Sequence, residues 1–170
     1  MPELLYPIDD DRIPGKLAVA ARPRGNDWLE DDLHKWQVLG VTQVVSLLQD
    51  DEALQIGLEQ EQKLCNQLGL KFRSFPIPDR GVPVDTEAFA DLVGQLHDDI
   101  QQGQWIVIHC RQGIGRSGLL AASVLLSFEM PLNEALERIT IARGVQVPET
   151  EQQRLWLVQH LHLPLREPAL

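Results

Sequence analysis

Ile106-Val107-Ile108-His109-Cys110-Arg111-Gln112-Gly113-Ile114-Gly115-Arg116-Ser117-Gly118 runs an apolar strand directly into a cysteine, crosses five residues that include two glycines, and resumes at Arg116 and Ser117 with an apolar, helix-like stretch. That layout builds an oxyanion cradle with a nucleophile at its bottom. Gly113 and Gly115 let the chain curl so that the N–H groups of Arg111, Gln112, Gly113, Ile114, Gly115 and Arg116 converge on one centre, and the positive end of the following helix points the same way. Such a cradle holds a phosphate without a metal, so none is expected. The same field favours attack by the thiolate of Cys110.

Each remaining residue of the stretch has a chemical use. Arg116 presents a rigid fork that grips two phosphate oxygens together, which the point charge of a lysine does not reproduce. Ser117, at the helix start, is placed to donate to the Cys110 sulfur and make it a better leaving group in a second step. His109 is placed to hold the nucleophile through the backbone. The combination of His109-Cys110 with Gly113, Gly115, Arg116 and Ser117 resembles the signature loop of cysteine-dependent protein tyrosine phosphatases. Residues 39–48, Leu-Gly-Val-Thr-Gln-Val-Val-Ser-Leu-Leu, resemble the helix-to-strand segment of dual-specificity phosphatases, and Phe75-Pro76-Ile77-Pro78-Asp79 resembles their general-acid loop. The likeness extends over residues 16–161 and is nearest to atypical dual-specificity enzymes of the kinase-associated phosphatase type. It implies metal-independent hydrolysis of phosphate monoesters through a cysteinyl-phosphate. The short chain leaves little room for an elaborate phosphotyrosine-gripping loop, so a shallow cleft that takes phosphoserine and phosphothreonine as well as phosphotyrosine is expected.

Protonation of the leaving oxygen requires an acid. Asp79 is the first candidate, in a loop stiffened by Pro76, Pro78 and Pro83 and hinged at Gly81. Asp85 is its competitor, although its place before Thr86-Glu87-Ala88-Phe89 reads as a helix N-cap. Glu149-Thr150-Glu151-Gln152-Gln153 resembles a family segment that carries a glutamine near the hydrolytic water, and alignment of Thr150 favours Gln153 over Gln152. A solvated first helical turn after Pro148 accounts for the same residues equally well. Gln49 and the acids Asp50, Asp51 and Glu52 follow a strand, where an acidic helix start explains them without a role in the site.

Outward from the loop, the pattern alternates strands and helices. Strands are expected at 16–20, 41–48, 71–75 and 105–109. Helices are expected at 27–39, 51–68, 85–102, 116–128, 132–142 and 149–161, with Leu29, Leu33 and Trp36, and then Phe89, Leu92, Val93 and Leu96, on inward faces. This is an α/β fold with a central, mostly parallel sheet and helices on both faces, the loop lying between a central strand and the next helix. One domain is expected over 1–170, with an irregular segment at 1–15 and a tail at 163–170. The tryptophans at 28, 36, 105 and 156 read as core or core rim.

The 170 residues are 44 % apolar, enough for a sizeable core, and carry a net charge of −10. Nucleic acids and anionic membranes are held by basic surfaces, so neither is an expected general partner. Phosphate affinity must then be local. Within the loop only Arg111 adds charge to Arg116, which favours phosphoproteins or small phosphoesters over phosphoinositides. Arg22, Arg24, Arg80 and Arg143 are candidate rim cations or ordinary surface charges. Two cysteines are not a disulfide framework, and Cys65 shares a helical face with Leu64 and Leu68, reading as core unless it is a redox partner of Cys110. The amino-terminal region lacks the basic start and long apolar run of a signal peptide, and no segment reaches membrane-spanning length. A cytoplasmic monomer without cofactor is the expectation. Two other classes remain beside it. A rhodanese-type sulfurtransferase also ends a strand in Cys, but its loop usually spaces Cys and Arg by four residues rather than five. A catalytically silent phosphate-binding module would keep Arg116 and the glycines without needing Cys110 and Asp79 together.

Overall fold

The computed structural model describes residues 5–160. A five-stranded sheet has the order β1 (Leu5–Pro7), β2 (Lys16–Ala20), β5 (Trp105–His109), β3 (Gln43–Ser46) and β4 (Lys71–Ser74). β1 is antiparallel to β2, and the other pairs are parallel. β5 is central: Ala20 and Ser46 both pair with His109, so the chain leaves the middle of the sheet at its carboxyl end, at Cys110. Ile106, Val107 and Ile108 suit that position because a central parallel strand is covered on both faces.

Alternation along β5 sends Ile106 and Ile108 into one core and Val107 into the other. The first core lies under α4 (Thr86–Gln101), α5 (Gly115–Ser127), α6 (Leu132–Arg143) and α7 (Glu151–Gln159). α5 is buried from Gly115 through Leu125, which explains a helix without a polar face. α4 presents Phe89, Leu92, Val93, Leu96 and Ile100 inward, and Phe89 meets Phe75 and Trp156 edge-on at 5.8 and 5.1 Å. Pairs of this geometry contribute about 1 kcal/mol each beyond their burial. The second core lies under α1 (Leu29–Leu39), α2 (Asp50–Gln55) and α3 (Glu61–Gln67), where Leu29, Leu33, Trp36 and Cys65 are buried.

The expected segments form with four differences. The head contains β1, too short and too proline-bounded to show a period. The helix expected at 51–68 is two helices, because Gly57 takes a left-handed φ of 75° and a Cβ there would lie 2.5 Å from the Asn26 side chain. The strand expected at 41–48 is ordered into the ladder only at Gln43–Ser46. Trp28 is 56 % exposed rather than core, its ring covered by the Arg24 guanidinium at 4.5 Å. The tail at 163–170, residue 161 and residues 1–4 lie outside the described residues.

Candidate active site

Cys110 follows β5 directly, and Arg116 and Ser117 sit in the first turn of α5, so strand and helix hold the two ends of the loop. Gly113 has φ 74°, and a Cβ on it would lie 2.5 Å from the Ala20 carbonyl; its N–H donates to Cys110 Sγ at 3.3 Å. The curl is therefore made at Gly113. Gly115 is small for a different reason: Gln153 and the Glu149 carboxylate cross it, and a Cβ there would come within 2.9 Å of both. Ile114 caps α5 and packs against the core, while the Gln112 carbonyl accepts from Arg143 Nη2 at 3.1 Å. The Arg143 guanidinium in turn lies 4.2 Å above the Tyr6 ring.

Arg116 is 2 % exposed and makes four contacts. Its Nη1 donates to Glu52 Oε2 at 2.7 Å and to the Ile77 carbonyl at 2.9 Å, and its Nη2 to Glu52 Oε1 at 3.0 Å and Asp79 Oδ1 at 3.1 Å. The Nε–H, the fifth donor of the fork, makes none of these bonds. Burial works against the charge of Arg116, but Glu52 and the Cys110 and Asp79 charges outweigh it and raise its proton affinity above the ordinary value.

Glu52 is the residue that sequence reasoning passed over. Its carboxylate accepts from Gln49 N at 3.0 Å in a capping box that starts α2, and from both Arg116 nitrogens. The acidic start of that helix is thus real, and it is also the support of the arginine. The usable signal was a box residue at the carboxyl end of a strand neighbouring the cysteine strand. Burial pushes the Glu52 carboxyl up, yet the Arg116 and Gln49 hydrogen bonds and the Arg116 and Arg111 charges together hold it below its usual value. A carboxyl held low in the folded chain contributes stability that is complete above its unfolded value, about 4.3, and is lost as pH falls through the folded value. Glu52→Gln is expected to destabilise the protein by on the order of 3 kcal/mol near neutral pH in chemical denaturation, since it leaves a buried guanidinium short of charge. The gap to wild type should narrow as pH falls below about 4 and close once Glu52 is protonated in the folded chain; a gap independent of pH would contradict this account.

The other expected residues fall into place as follows. Asp79, with a half-exposed side chain, reaches the cleft and touches Arg116. Asp85 does not: its Oδ1 accepts from Ala88 N at 2.9 Å and caps α4. Cys110, Asp79 and Arg116 line a cleft of about 220 Å³ whose rim carries Arg80 and Glu149, paired at 2.8 Å. Arg111 lines the same cleft half-buried, its Nε 3.8 Å from Glu52 Oε1. Ser117 is fully buried, and its Oγ has no hydrogen-bond partner among the described residues. Gln153 is fully buried, its Oε1 accepting from Thr150 N at 3.2 Å and its Nε2 donating to the Gly81 carbonyl at 3.1 Å. It thereby ties α7 to the loop that carries Asp79. Among the candidate rim cations, Arg24 pairs with Asp32 and Arg22 donates its backbone N–H to the Arg111 carbonyl.

His109 is buried behind the loop, its Nδ1 3.3 Å from the Cys110 carbonyl and its Nε2 2.6 Å from Glu61 Oε1. Cys65 belongs to the second core whereas Cys110 belongs to the first, so the sheet stands between them. Burial, helped by the Glu61 charge, pushes the Cys65 thiol up to about 12, which makes it an inert core residue.

A family model described as "Polymorphic toxin system, DSP-PTPase phosphatase" matches residues 18–129. Cyclin-dependent kinase inhibitor 3 of Sus scrofa is 32 % identical over 96 residues, which cover 55 % of this chain and 45 % of the relative. The chain spans less than half the length of the curated relatives it matches. Kinase associated phosphatase, solved with its catalytic-site cysteine replaced by serine, has the same fold at a TM-score of 0.83 and 21 % identity, over 95 % of this chain and 93 % of that one. The active form of Tk-PTP is similar at a TM-score of 0.76 and 25 % identity, over 97 % of this chain and all of that one. No described helix is long and apolar enough to cross a membrane.

Proposed function

Since the chain belongs to the DSP-PTPase phosphatase family, we propose that it hydrolyses phosphate monoesters of proteins, or small phosphoesters, through a covalent intermediate on Cys110. The observation that carries the reading is the meeting of three chemistries in one small cleft: the Cys110 sulfur, the Arg116 fork held by Glu52, and the carboxyl of Asp79.

The phosphoryl group rests on the N–H groups of 111–116 and on Arg116. Its oxygens take the Nη2 donor that Asp79 holds, together with the Nε–H, and this releases Asp79 toward the leaving oxygen. The Cys110 thiolate forms an S–P bond as the P–O bond to the leaving group breaks, and Asp79 supplies the proton that the departing oxygen needs. Asp79 then removes a proton from water, whose oxygen attacks phosphorus while the S–P bond breaks and the thiolate returns. Ser117 Oγ, buried beside the loop and bonded to none of the described residues, the Cys110 sulfur included, is free to turn its donor to that sulfur as it leaves. Gln153 supports the step by fixing the Asp79 loop through Gly81. No cofactor enters any step. A cleft this small and open suits phosphoserine and phosphothreonine as well as phosphotyrosine. Asp79 beside Arg116 supports turnover over a silent binding module, which has no use for an acid.

The acid is tested with leaving groups of different basicity, because proton donation matters more as the departing oxygen becomes more basic. Asp79→Asn is expected to slow phosphotyrosine hydrolysis by ~10²-fold, to affect a fluorinated aryl phosphate far less, and to remove the basic limb of the pH–rate profile. Asp85→Asn should leave both the chemistry and the helix cap nearly unchanged, since an asparagine oxygen accepts from Ala88 N as an aspartate oxygen does. Exchange of the two phenotypes would reassign the acid.

A further inference from the structure

The buried Glu61–His109 pair has no part in the chemistry above, and its hydrogen-bond inventory is unusual. His109 is 0 % exposed and Glu61 3 %. His109 closes β5 and faces the second core, with the Trp36 ring 6.3 Å from its own. Nδ1 faces the Cys110 carbonyl and Nε2 faces Glu61 Oε1. A carbonyl only accepts, and an ionised carboxylate only accepts, yet a neutral imidazole has one N–H for the two of them. With a neutral ring and an ionised Glu61, one ring lone pair would point at an oxygen lone pair, and a net charge would be buried without an opposing partner. One further proton removes both conflicts. It sits either on the ring, giving imidazolium against carboxylate, or on Glu61, which then donates to Nε2. In both arrangements Nδ1 keeps its N–H on the Cys110 carbonyl, and the pair has no net charge.

We propose that Glu61 is a positioning residue for the phosphate cradle, acting through His109 from the opposite face of the sheet. The Cys110 carbonyl and the Arg111 N–H belong to one peptide group. A donor held on that carbonyl fixes the plane of the first peptide of the loop, and it polarises the group so that the Arg111 N–H becomes a stronger donor to a phosphate oxygen. Glu61 sits at the start of α3 and so couples the orientation of that helix to the first rung of the cradle. Cys65, one turn along α3, is a further titratable neighbour, and burial keeps it uncharged. The inference rests on the phosphatase reading for its consequence in catalysis, but the proton on Nδ1 is independent of it.

Two measurements separate those parts. In ¹⁵N-labelled wild-type protein, the His109 Nδ1 should resonate as a protonated nitrogen with a slowly exchanging proton; an unprotonated Nδ1 overturns the proposal whether or not the protein is a phosphatase. For the cradle, inorganic phosphate is used as a competitive inhibitor of aryl phosphate turnover. Glu61→Leu, which offers Nε2 nothing, should raise the inhibition constant for phosphate about tenfold. Glu61→Gln, whose amide donates to Nε2 and so preserves the N–H on Nδ1, should stay within about threefold of wild type. Equal phosphate affinity in folded Glu61→Leu and wild type overturns the positioning role. If the leucine variant does not fold, Glu61→Gln decides: a loss of phosphate affinity there as large as tenfold, with Nδ1 still protonated, also overturns it. Absence of turnover in the wild type removes the phosphatase reading and leaves the nitrogen measurement standing.

Discussion

Cys110→Ser is expected to reduce turnover of an aryl phosphate by ~10³-fold or more while the protein still binds phosphate or tungstate. The two halves of that result come from different atoms. Binding belongs to the N–H groups of 111–116 and to Arg116, none of which the substitution touches, and the Gly113 N–H that now meets Cys110 Sγ can meet a hydroxyl instead. Turnover belongs to the sulfur, since a serine hydroxyl in the same place is neither ionised nor a comparable leaving group from phosphorus. Calorimetry with tungstate and a burst measurement at high enzyme concentration check the two halves separately. A serine variant retaining more than about a tenth of the wild-type rate would exclude the covalent route.

Arg116→Lys should have the second largest effect, a loss of ~10²- to 10³-fold in kcat/KM, and here the structure adds a reason beyond the fork. The guanidinium is shared among Glu52, the Ile77 carbonyl and Asp79, and still keeps its Nε–H for a ligand. An ammonium has three donors and no plane, so holding Glu52 and Ile77 leaves it at most one bond for two phosphate oxygens. Glu52 would keep a buried cation beside it, so stability should fall less than in Glu52→Gln. Measuring both variants by denaturation and by phosphotyrosine kinetics distinguishes the roles: the lysine variant should fail in rate, the glutamine variant first in stability. A lysine variant with a normal rate would remove Arg116 from the transition state.

What could be read in the sequence was what is local. Residues 106–118 carry strand, turn and helix in one continuous stretch, so the centre of the sheet and the carboxyl-end position of Cys110 followed from neighbouring side chains alone. Asp85 could be separated from Asp79 because an N-cap has a signature within four residues. Glu52 could not be recovered this way. An acid in a first turn is stabilised by the helix dipole wherever the helix lies, and only the chain's return at Arg116, far along the sequence, shows that this one is buried against a cation. Glu61 is the same kind of case, an unremarkable first-turn acid until β5 brings His109 to it. The spacing of Gly115 suggests a part in the curl, whereas its hydrogen side chain is demanded by Gln153 of α7 and by Glu149, just ahead of that helix. Even β1 gave no periodic signal, since three residues ending in proline are too few to alternate.

The Gln112 carbonyl, held by an arginine of α6 that lies on the ring of Tyr6, has a consequence for anyone who would move this loop elsewhere. A graft of residues 109–117 onto another α/β sheet would transfer the Cys110 thiol and the Arg116 fork, and leave behind almost everything that keeps them still. Tyr6 and Arg143 brace one shoulder, Glu52 and Ile77 hold the guanidinium, Glu61 holds His109, and Gln153 holds the loop of Asp79. These braces are distributed over nearly the whole described chain, so the loop is not a portable cassette: the smallest unit that can be transplanted with its geometry intact is the sheet with both of its helical layers.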